Sequence, residues 1–383
     1  MIRSRTSRRW SLLLPLAVIG IAGCRAAAPA TRPVVATQQD SRPGEALHQT
    51  PTPAPPRFDQ GQETEPVPYE NRLLANMTRH TFTSVGRDFD PDPDPTGQTI
   101  AFASTRNSER PDIFVKSVEG FAITQLTSDP ADDVQPRFSP DGQKLVFCSN
   151  RTGNWDIWTV NLDGTGLTQL THDRADEIAP CWAPDGTRVA FSLWGRQSHQ
   201  WEIWVVSVDR PAARRFLCYG MFPDWSPDGR RIAFQRARQR GTRWFSIWTV
   251  ELVGDEARYP TEVAYDDTAS CIAPRWSPDG RIIVYCTARP DGQQLQNTGH
   301  TATDVWLVDA QAAARTKVTD GAVDAFNPVW ASDDRIFFVS ARAGTENIWS
   351  LRTHPLAHAA TPPNAGAATV DPGLGAVPNV EGK

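Results

Sequence analysis

Short apolar runs separated by one recurring tight turn fill the middle of the chain. Residues 223–234 give the clearest copy: an apolar segment ends at Trp225, Ser-Pro-Asp-Gly follows, and a second apolar run begins at Ile232. Proline sets φ for the second position of a type I turn, aspartate is tolerated at the third, and glycine adopts the positive φ that follows. Apolar runs on both sides of such a turn predict a hairpin of two buried β-strands. Further copies occupy residues 136–147, 180–191 and 274–285, and degenerate copies occupy residues 91–102 and 328–338.

The spacing of these copies predicts the architecture. The first proline of each copy lies roughly 43 to 54 residues after the previous one, which is the period of a four-stranded propeller blade. Ile-Trp or a close variant marks a third strand, and Leu-Thr-Gln-Leu-Thr or a weaker copy marks a fourth. We name the strands a to d, from the axis outward. The sequence predicts an all-β, six-bladed β-propeller of four-stranded antiparallel blades over residues 71–352.

The high tryptophan content fits this repeat. Most of the 14 tryptophans fall at two repeat positions, one in strand a and one in strand c. Large aromatic side chains fill the space between twisted neighbouring sheets, so we expect blade packing rather than a stacking platform for sugars or bases. The strand-a set is Trp182, Trp225, Trp276 and Trp330, and the strand-c set is Trp158, Trp204, Trp248, Trp306 and Trp349.

The sixth repeat lacks its own strand d. After Leu351 the chain becomes rich in proline and alanine, whereas residues 73–78, before the first repeat, resemble the Leu-Thr-Gln-Leu-Thr strand. We therefore expect this N-terminal segment to supply strand d of the last blade and close the ring. Closure removes the open sheet edge that invites aggregation.

The first 24 residues have the pattern of an export signal. Four arginines precede an apolar stretch at residues 12–21, which is too short to span a bilayer stably. The stretch ends in Ile-Ala-Gly-Cys, which resembles the lipobox of bacterial lipoproteins and implies lipidation of Cys24; ordinary signal cleavage and a twin-arginine signal are the alternatives. Arg25 after the cysteine favours the outer membrane over the inner one.

The segments that flank the repeats are low in apolar periodicity. Residues 25–70 are rich in proline, alanine, threonine and glutamine, and residues 353–383 in alanine, proline and glycine. Such compositions favour extended, disordered chain. We therefore expect a signal peptide at 1–24, a tether at 25–70, the propeller at 71–352 and a disordered tail at 353–383.

The recurring Pro-x-Trp-Ser-Pro-Asp-Gly, Ile-Ala-Phe, Ile-Trp and Leu-Thr segments resemble the TolB-type β-propeller family, relatives of WD-repeat propellers. The resemblance covers residues 71–352 and implies a periplasmic protein in a Tol–Pal-like setting, with a peptidoglycan-associated lipoprotein as partner. Two features depart from TolB: residues 25–70 are too short and proline-rich for its α/β domain, and Cys24 indicates a lipid anchor. The expectation is a TolB-like propeller lipoprotein.

Standard catalytic motifs are absent from the sequence. There is no G-x-S-x-G, H-E-x-x-H, C-x-x-C or P-loop, and too few residues follow 352 for the hydrolase domain of a prolyl-oligopeptidase-type enzyme. His80 and His172 occupy equivalent d–a loops, which leaves a metal site open, but we expect no catalytic residue, metal or cofactor. The net charge of −5 gives no general attraction to nucleic acid.

Acidic residues concentrate in the d–a loops, which should share the top face with the b–c loops, while the Ser-Pro-Asp-Gly turns lie on the bottom face. We expect a negative channel mouth that docks a protein or peptide with basic groups; the alternative is that the acids cap turns. The bottom face is expected to be the least involved in binding. The candidate partner-binding residues are Asp129, Asp132, Asp133, Asp173, Asp176, Glu177, Asp266, Asp267, Asp320 and Asp324.

These observations predict a monomeric, lipid-anchored interaction scaffold on the periplasmic side of an envelope membrane. Two other classes stay open. One is a propeller enzyme, such as a polysaccharide lyase or hydrolase, with a metal or substrate site at the channel mouth. The other is a sensor-like propeller that binds a small ligand in the channel. At least three ligand-type side chains converging on the axis would favour the enzyme.

Overall fold

The computed structural model describes residues 77–238, 244–289, 303–319 and 324–353. Across these residues all strands fall into six four-stranded antiparallel sheets. In five sheets neighbouring strands are consecutive in the chain, and in the sixth the first strand of the propeller pairs with the last. The predicted fold class and blade count are confirmed. Cys24, the tether at 25–70 and the tail beyond residue 353 lie outside the described residues.

The two inner strands of each blade are the hairpin that the Ser-Pro-Asp-Gly turn predicts. Both are buried along most of their length because neighbouring blades cover their two faces. The a strands are β2 (Asp88–Pro93), β6 (Asp133–Phe138), β10 (Glu177–Trp182), β14 (Met221–Trp225), β18 (Ser270–Trp276) and β22 (Phe326–Trp330). The b strands are β3 (Thr99–Ser104), β7 (Lys144–Ser149), β11 (Arg188–Trp194), β15 (Arg231–Ala237), β19 (Ile282–Ala288) and β23 (Arg335–Ser340).

The two outer strands become progressively more exposed. Strand c mixes buried and half-buried positions. Strand d is largely exposed or half-buried, and it is short in every blade except blades 3 and 4. The c strands are β4 (Asp112–Ser117), β8 (Asp156–Asn161), β12 (Trp201–Ser207), β16 (Phe245–Val253), β20 (Thr303–Asp309) and β24 (Asn347–Arg352). The d strands are β5 (Ile123–Gln125), β9 (Thr168–Gln169), β13 (Arg214–Tyr219), β17 (Glu256–Ala264), β21 (Arg315–Lys317) and β1 (Thr78–Arg79).

The Ser-Pro-Asp-Gly turns have the hydrogen bonds that their sequence predicts. In blade 4 the Gly229 amide donates to the Ser226 carbonyl at 2.9 Å, and the Ser226 hydroxyl donates to Asp228 at 2.6 Å. Gly229 has φ +72°, and a Cβ there would lie 3.3 Å from Pro184 of the preceding blade. Gly142, Gly186 and Gly280 also lie against the proline of the preceding turn, so this contact joins four adjacent pairs of turns on the bottom face. Gly97 lies against Ser332 instead, and the sixth turn has no glycine.

The Leu-Thr segment at the end of strand d holds the outer strands together. The Thr171 hydroxyl accepts a hydrogen bond from the buried Ile157 amide at 2.9 Å. Thr127 accepts equivalently from Ile113, and Thr319 from Val305, each at 3.0 Å. The threonine of the repeat is therefore a buried acceptor for an amide of strand c.

The ring is closed by the segment before the first blade, as predicted. β1 pairs with β24 of blade 6, with Thr78 opposite Ser350 and Arg79 opposite Trp349. Thr81 accepts from the Ile348 amide at 3.0 Å, the same contact that the Leu-Thr threonines make. The closure prediction is confirmed for residues 78–79; residues 73–76 lie outside the described part.

Tryptophan positions follow the predicted packing. The four strand-a tryptophans are all less than 10% exposed. The strand-c tryptophans are half-buried, and several have an arginine over the ring, such as Arg151 at 4.7 Å from the centroid of Trp158. These contacts place the aromatic rings within and between blades rather than in an open platform.

Each innermost strand also carries a bulge that the sequence patterns did not predict. The residue before the first proline of every repeat has positive φ, between 49° and 55°, and the register of strands a and b shifts at that point. A non-glycine residue at positive φ is strained, and such strain often lies at functional sites. The six bulge residues are Asp90, Gln135, Ala179, Phe222, Ala273 and Asn327.

Candidate functional site

The top face carries the d–a loops and the b–c loops, as predicted. Ion pairs connect the two kinds of loop: Arg110 lies 3.3 Å from Asp132, and Arg238 lies 3.4 Å from Asp267. Arginines of the b–c loops thus partly neutralise acids of the d–a loops. The top face is therefore a mixed-charge surface at these loops rather than a uniformly negative mouth.

Three of the candidate acids shape their own loops. Asp129, Asp173 and Asp266 each accept a hydrogen bond from the amide two residues further along the chain, at 2.8 to 3.0 Å. This is the Asx-turn, the capping role weighed as the alternative to docking. Hydrogen bonding to the loop also lowers the pKa of Asp266. These carboxylates fix the loop shape in three different blades.

Asp133 and Glu177, two of the three buried candidate acids, bond to arginines inside the blades. Asp133 accepts two hydrogen bonds from Arg151, the shorter at 2.9 Å, and Glu177 accepts one from Arg214 at 3.1 Å. Both acids are the first residue of a strand a, so their side chains point into the blade. Burial raises the pKa of Glu177 to about 7. The expectation that Asp133 and Glu177 bind a partner is therefore wrong: both carboxylates stabilise the blades instead.

The remaining candidates differ in exposure. Asp129, Asp176 and Asp267 are exposed, Asp132 is half-buried, and Asp324 is buried just before β22. Asp320 lies outside the described residues. Exposed carboxylates therefore come from three separate d–a loops of the same face.

The two histidines that left a metal site open are not equivalent. His80 is buried, and its Nε2 lies 2.8 Å from the Ser350 hydroxyl; burial lowers its pKa to about 4. His172 is exposed. In the described part of the chain no group of three or more His, Cys, Asp or Glu side chains could hold a metal ion.

The propeller cysteines are free thiols. Cys148, Cys181, Cys218, Cys271 and Cys286 form no disulfide with one another. Burial raises the pKa of Cys218, Cys271 and Cys286 to about 12. Thiols held protonated by burial behave as small apolar groups that fill the core.

The bulges form a constriction on the axis. All six bulge residues line a cavity of about 30 Å³, which is large enough to hold a water molecule. Neighbouring side chains bind amides at the bulges: the Gln135 carbonyl accepts from the Ala179 amide, and Gln235 from the Ala273 amide, both at 2.8 Å. The constriction is therefore rigid.

A larger cavity of about 280 Å³ lies on the bottom side of this constriction. Residues of the Ser-Pro-Asp-Gly turns rim it, including Ser139, Pro227 and Ser277. The expectation that this face is the least involved in binding does not fit this geometry, because the larger axial cavity opens there. The lining also includes Trp182, Trp225, Trp276 and Trp330.

Four charged side chains meet in this lower cavity. The residue after the bulge proline is charged in four blades: Asp92, Arg137, Asp224 and Arg275. Sequence reasoning missed this site, although a charge at an axis-facing position of an innermost strand was the available signal. Arg137 and Arg275 both donate to Oδ1 of Asp92, at 3.1 and 3.2 Å, and Arg275 also donates to Asp224 at 2.8 Å.

Both oxygens of each acid in this network accept hydrogen bonds from the protein. The second oxygen of Asp92 accepts from the Phe138 amide at 2.8 Å, and that of Asp224 accepts from the Trp276 amide at 2.7 Å. Burial raises the pKa of Asp92 to about 6 and that of Asp224 to about 7. Each acid therefore links two blades and fixes the arginines between them.

Comparison with known proteins agrees with this architecture. The model of the TolB beta-propeller domain matches residues 83–302, more than half of the chain. No curated protein sequence matches. A TolB candidate from Agrobacterium tumefaciens has a TM-score of 0.54 at 19% identity, over 72% of this chain and 96% of that one.

Two further solved structures show how widely the fold is used. TolB from Acinetobacter baumannii has a TM-score of 0.52 at 16% identity, over 68% of this chain and 64% of that one. A puromycin hydrolase has a TM-score of 0.50 at 15% identity, over 71% of this chain and 53% of that one. At these identities the likeness concerns the fold, and the fold alone does not fix the activity. The blade repeats and the family match together identify this chain as a member of the TolB beta-propeller domain family.

Proposed function

We propose that this protein is a non-enzymatic interaction scaffold, lipid-anchored at Cys24 on the periplasmic side of a bacterial envelope membrane. Its propeller docks a protein or peptide on the top face. The observation that carries the proposal is that Asp129, Asp176 and Asp267 hold exposed carboxylates on three loops of one closed ring. Loops positioned by a rigid scaffold are common binding surfaces.

The chemistry of the surface defines the partner. Carboxylates spaced around a ring attract basic side chains and speed their encounter with the surface. The partner is therefore a protein or peptide that presents lysines or arginines. A peptidoglycan-associated lipoprotein is the candidate that the family resemblance suggests, in a Tol–Pal-like role at the outer membrane, with the propeller as a monomer.

Partner capture from envelope extracts tests the docking surface. The triple variant Asp129→Asn, Asp176→Asn, Asp267→Asn removes three top-face charges and leaves the buried Asp133 and Glu177 intact. We expect about tenfold lower recovery of the partner at low salt, with a smaller difference as salt increases.

A matched control removes three charges from the c–d turns on the opposite face: Glu119→Gln, Asp209→Asn and Asp255→Asn. This variant should recover the partner as the wild type does. Equal recovery by the top-face variant and the control would contradict docking on the top face.

The alternative function, an enzyme, would require at least three metal-ligand or catalytic side chains that converge on the axis. In the described part of the chain the axis holds Asp90, Asp92 and Asp224, each bonded to protein groups, and no set of three that could bind a metal. The carboxylates at the axis are thus engaged in joining blades. Binding is the function that this arrangement favours.

The anchor has its own test. Attachment at Cys24 rests on the lipobox-like Ile-Ala-Gly-Cys that ends the export signal. Among the described residues there is no helix long and apolar enough to cross a membrane. Cys24→Ala should move the protein from the membrane fraction to the soluble fraction. Retention of the variant in the membrane fraction would count against lipidation.

A further inference from the structure

The lower cavity is independent of the proposed docking surface, because it opens on the opposite face of the ring. It has a volume of about 280 Å³, near the lower end of the roughly 300–1,000 Å³ range of small-molecule sites. Four tryptophans supply apolar walls, and Arg137 and Arg275 supply charge. Aromatic walls with a few fixed polar groups are the usual composition of a ligand pocket.

Arg137 is a charged side chain in this cavity with unused hydrogen-bonding capacity. Among the described residues, the indole N–H groups of Trp276 and Trp330, which also line the cavity, are likewise buried without a partner. Among the described residues its guanidinium donates one hydrogen bond, from Nη1 to Asp92 at 3.1 Å. Its Nε is buried without a partner, and Nη2 has none among the described residues. A guanidinium presents several N–H groups in a rigid fork. Leaving them without acceptors in a partly buried site is costly.

Arg275 reinforces this positive charge. It comes from the blade opposite Arg137, and both guanidinium groups meet at the same oxygen of Asp92. The second oxygen of Asp92 is occupied by the Phe138 amide. The acids therefore position the arginines without satisfying Arg137. Burial also raises the pKa of Asp224 to about 7, which weakens its repulsion of an anion at neutral pH.

We propose that the lower cavity binds a carboxylate, held by Arg137 and supported by Arg275, with an apolar body packed between the tryptophans. A planar carboxylate matches the fork of a guanidinium. A dianion such as phosphate fits less well, because Asp92 and Asp224 lie alongside. The carboxylate belongs either to a small organic acid or to the C-terminus of a peptide.

Calorimetric titration of the mature protein tests this site with two pairs of probes. Phenylacetate is compared with phenylacetamide, and the peptide Gly-Gly-Phe with its C-terminal amide. We expect binding of at least one acid at millimolar concentration, and no binding of the matching amide. Binding of the free acid or of the peptide identifies which source the site accepts.

Variants locate the binding. Arg137→Gln should weaken acid binding by about tenfold to a hundredfold, from loss of charged hydrogen bonds. Arg137→Lys keeps the positive charge beside Asp92 but loses the fork, and it should still weaken binding about tenfold. A melting temperature equal to that of the wild type checks that the variant is folded. The control Arg230→Gln removes an exposed arginine of the same face and should leave binding unchanged. The proposal is overturned if neither acid binds, if an amide binds as well as its acid, or if Arg137→Lys binds like the wild type.

Discussion

Neighbouring residues with the same charge have different roles in this protein. Asp132 and Asp133 are adjacent in sequence, yet Asp132 is half-buried in a loop and Asp133 is fully buried against Arg151. Asp176 and Glu177 repeat this difference. The sequence pattern predicted that both pairs lie in the d–a loops, whereas Asp133 and Glu177 are the first residues of β6 and β10. Their burial was not predicted, because a shift of one residue at a strand start reverses the direction of the side chain.

Asp224 gives a residue-scale prediction about pH. Burial raises its pKa from 3.8 to about 7, so between these values the folded protein binds more protons than the unfolded chain. Its contribution to the free energy of unfolding therefore falls as the pH rises from 5 to 7. Asp224→Asn cannot titrate and should reduce this slope by up to about 1.4 kcal/mol per pH unit.

Urea unfolding at pH 5, 6 and 7 measures these slopes. Asp209→Asn, a charge change at an exposed turn, serves as control and should keep the wild-type slope. If the free energy of unfolding changes with pH equally in the wild type and in Asp224→Asn, the folded and unfolded states bind the Asp224 proton equally, which would contradict the prediction.

At the scale of single elements, the sequence predicted where the Leu-Thr segments lie but not what their threonines do. Its threonine lies just beyond strand d, and the hydroxyl serves a buried amide of strand c. The same hydroxyl in Thr81 completes blade 6 from the other end of the propeller sequence. Similarity of residues 73–78 to the other Leu-Thr segments was enough to predict this closure.

The axial bulges show where sequence patterns fail at this scale. The six bulge positions hold Asp, Gln, Ala, Phe, Ala and Asn, so no residue type marks the positive φ. The proline that follows is visible in the sequence, but the residue before a proline is usually extended. The packing of six inner strands around one axis imposes this conformation, and single-strand periodicity does not contain that information.

Thr171→Val tests the element-scale role of the threonine. Valine has nearly the same shape, but it leaves the buried Ile157 amide without its acceptor, so the free energy of unfolding should fall by about 1–3 kcal/mol. Thr168→Val, at an exposed position of β9, should change it by less than about 0.5 kcal/mol. Equal effects of the two substitutions in denaturant unfolding would refute the buried-acceptor role.

At the scale of the whole molecule, closure of the ring depends on a segment far from the blade that it completes. β1 pairs with β24, and the His80 amide adds a further bond to the Ile348 carbonyl at 2.8 Å. Deleting residues 71–80 removes these bonds and exposes the edge of blade 6. We expect the melting temperature to fall by roughly 5–10 °C. An unchanged melting temperature in calorimetry would contradict closure by this segment.

The sequence predicted the blades, their number and the assignment of loops to faces, because one repeat with fixed turn chemistry determines all three. It did not predict the lower cavity. Asp92, Arg137, Asp224 and Arg275 come from different repeats and meet only when the ring closes. The repeat pattern identifies what the blades share, whereas the axial site consists of residues by which the blades differ.

Photo-crosslinking in intact cells shows which face of the propeller contacts a partner. A photo-reactive amino acid is placed at position 176 on the top face, and in a second strain at position 209 on a c–d turn. Top-face docking predicts a crosslinked envelope protein from position 176 and none from position 209. A crosslinked partner from position 209 alone, or equal crosslinking from both positions, would contradict it.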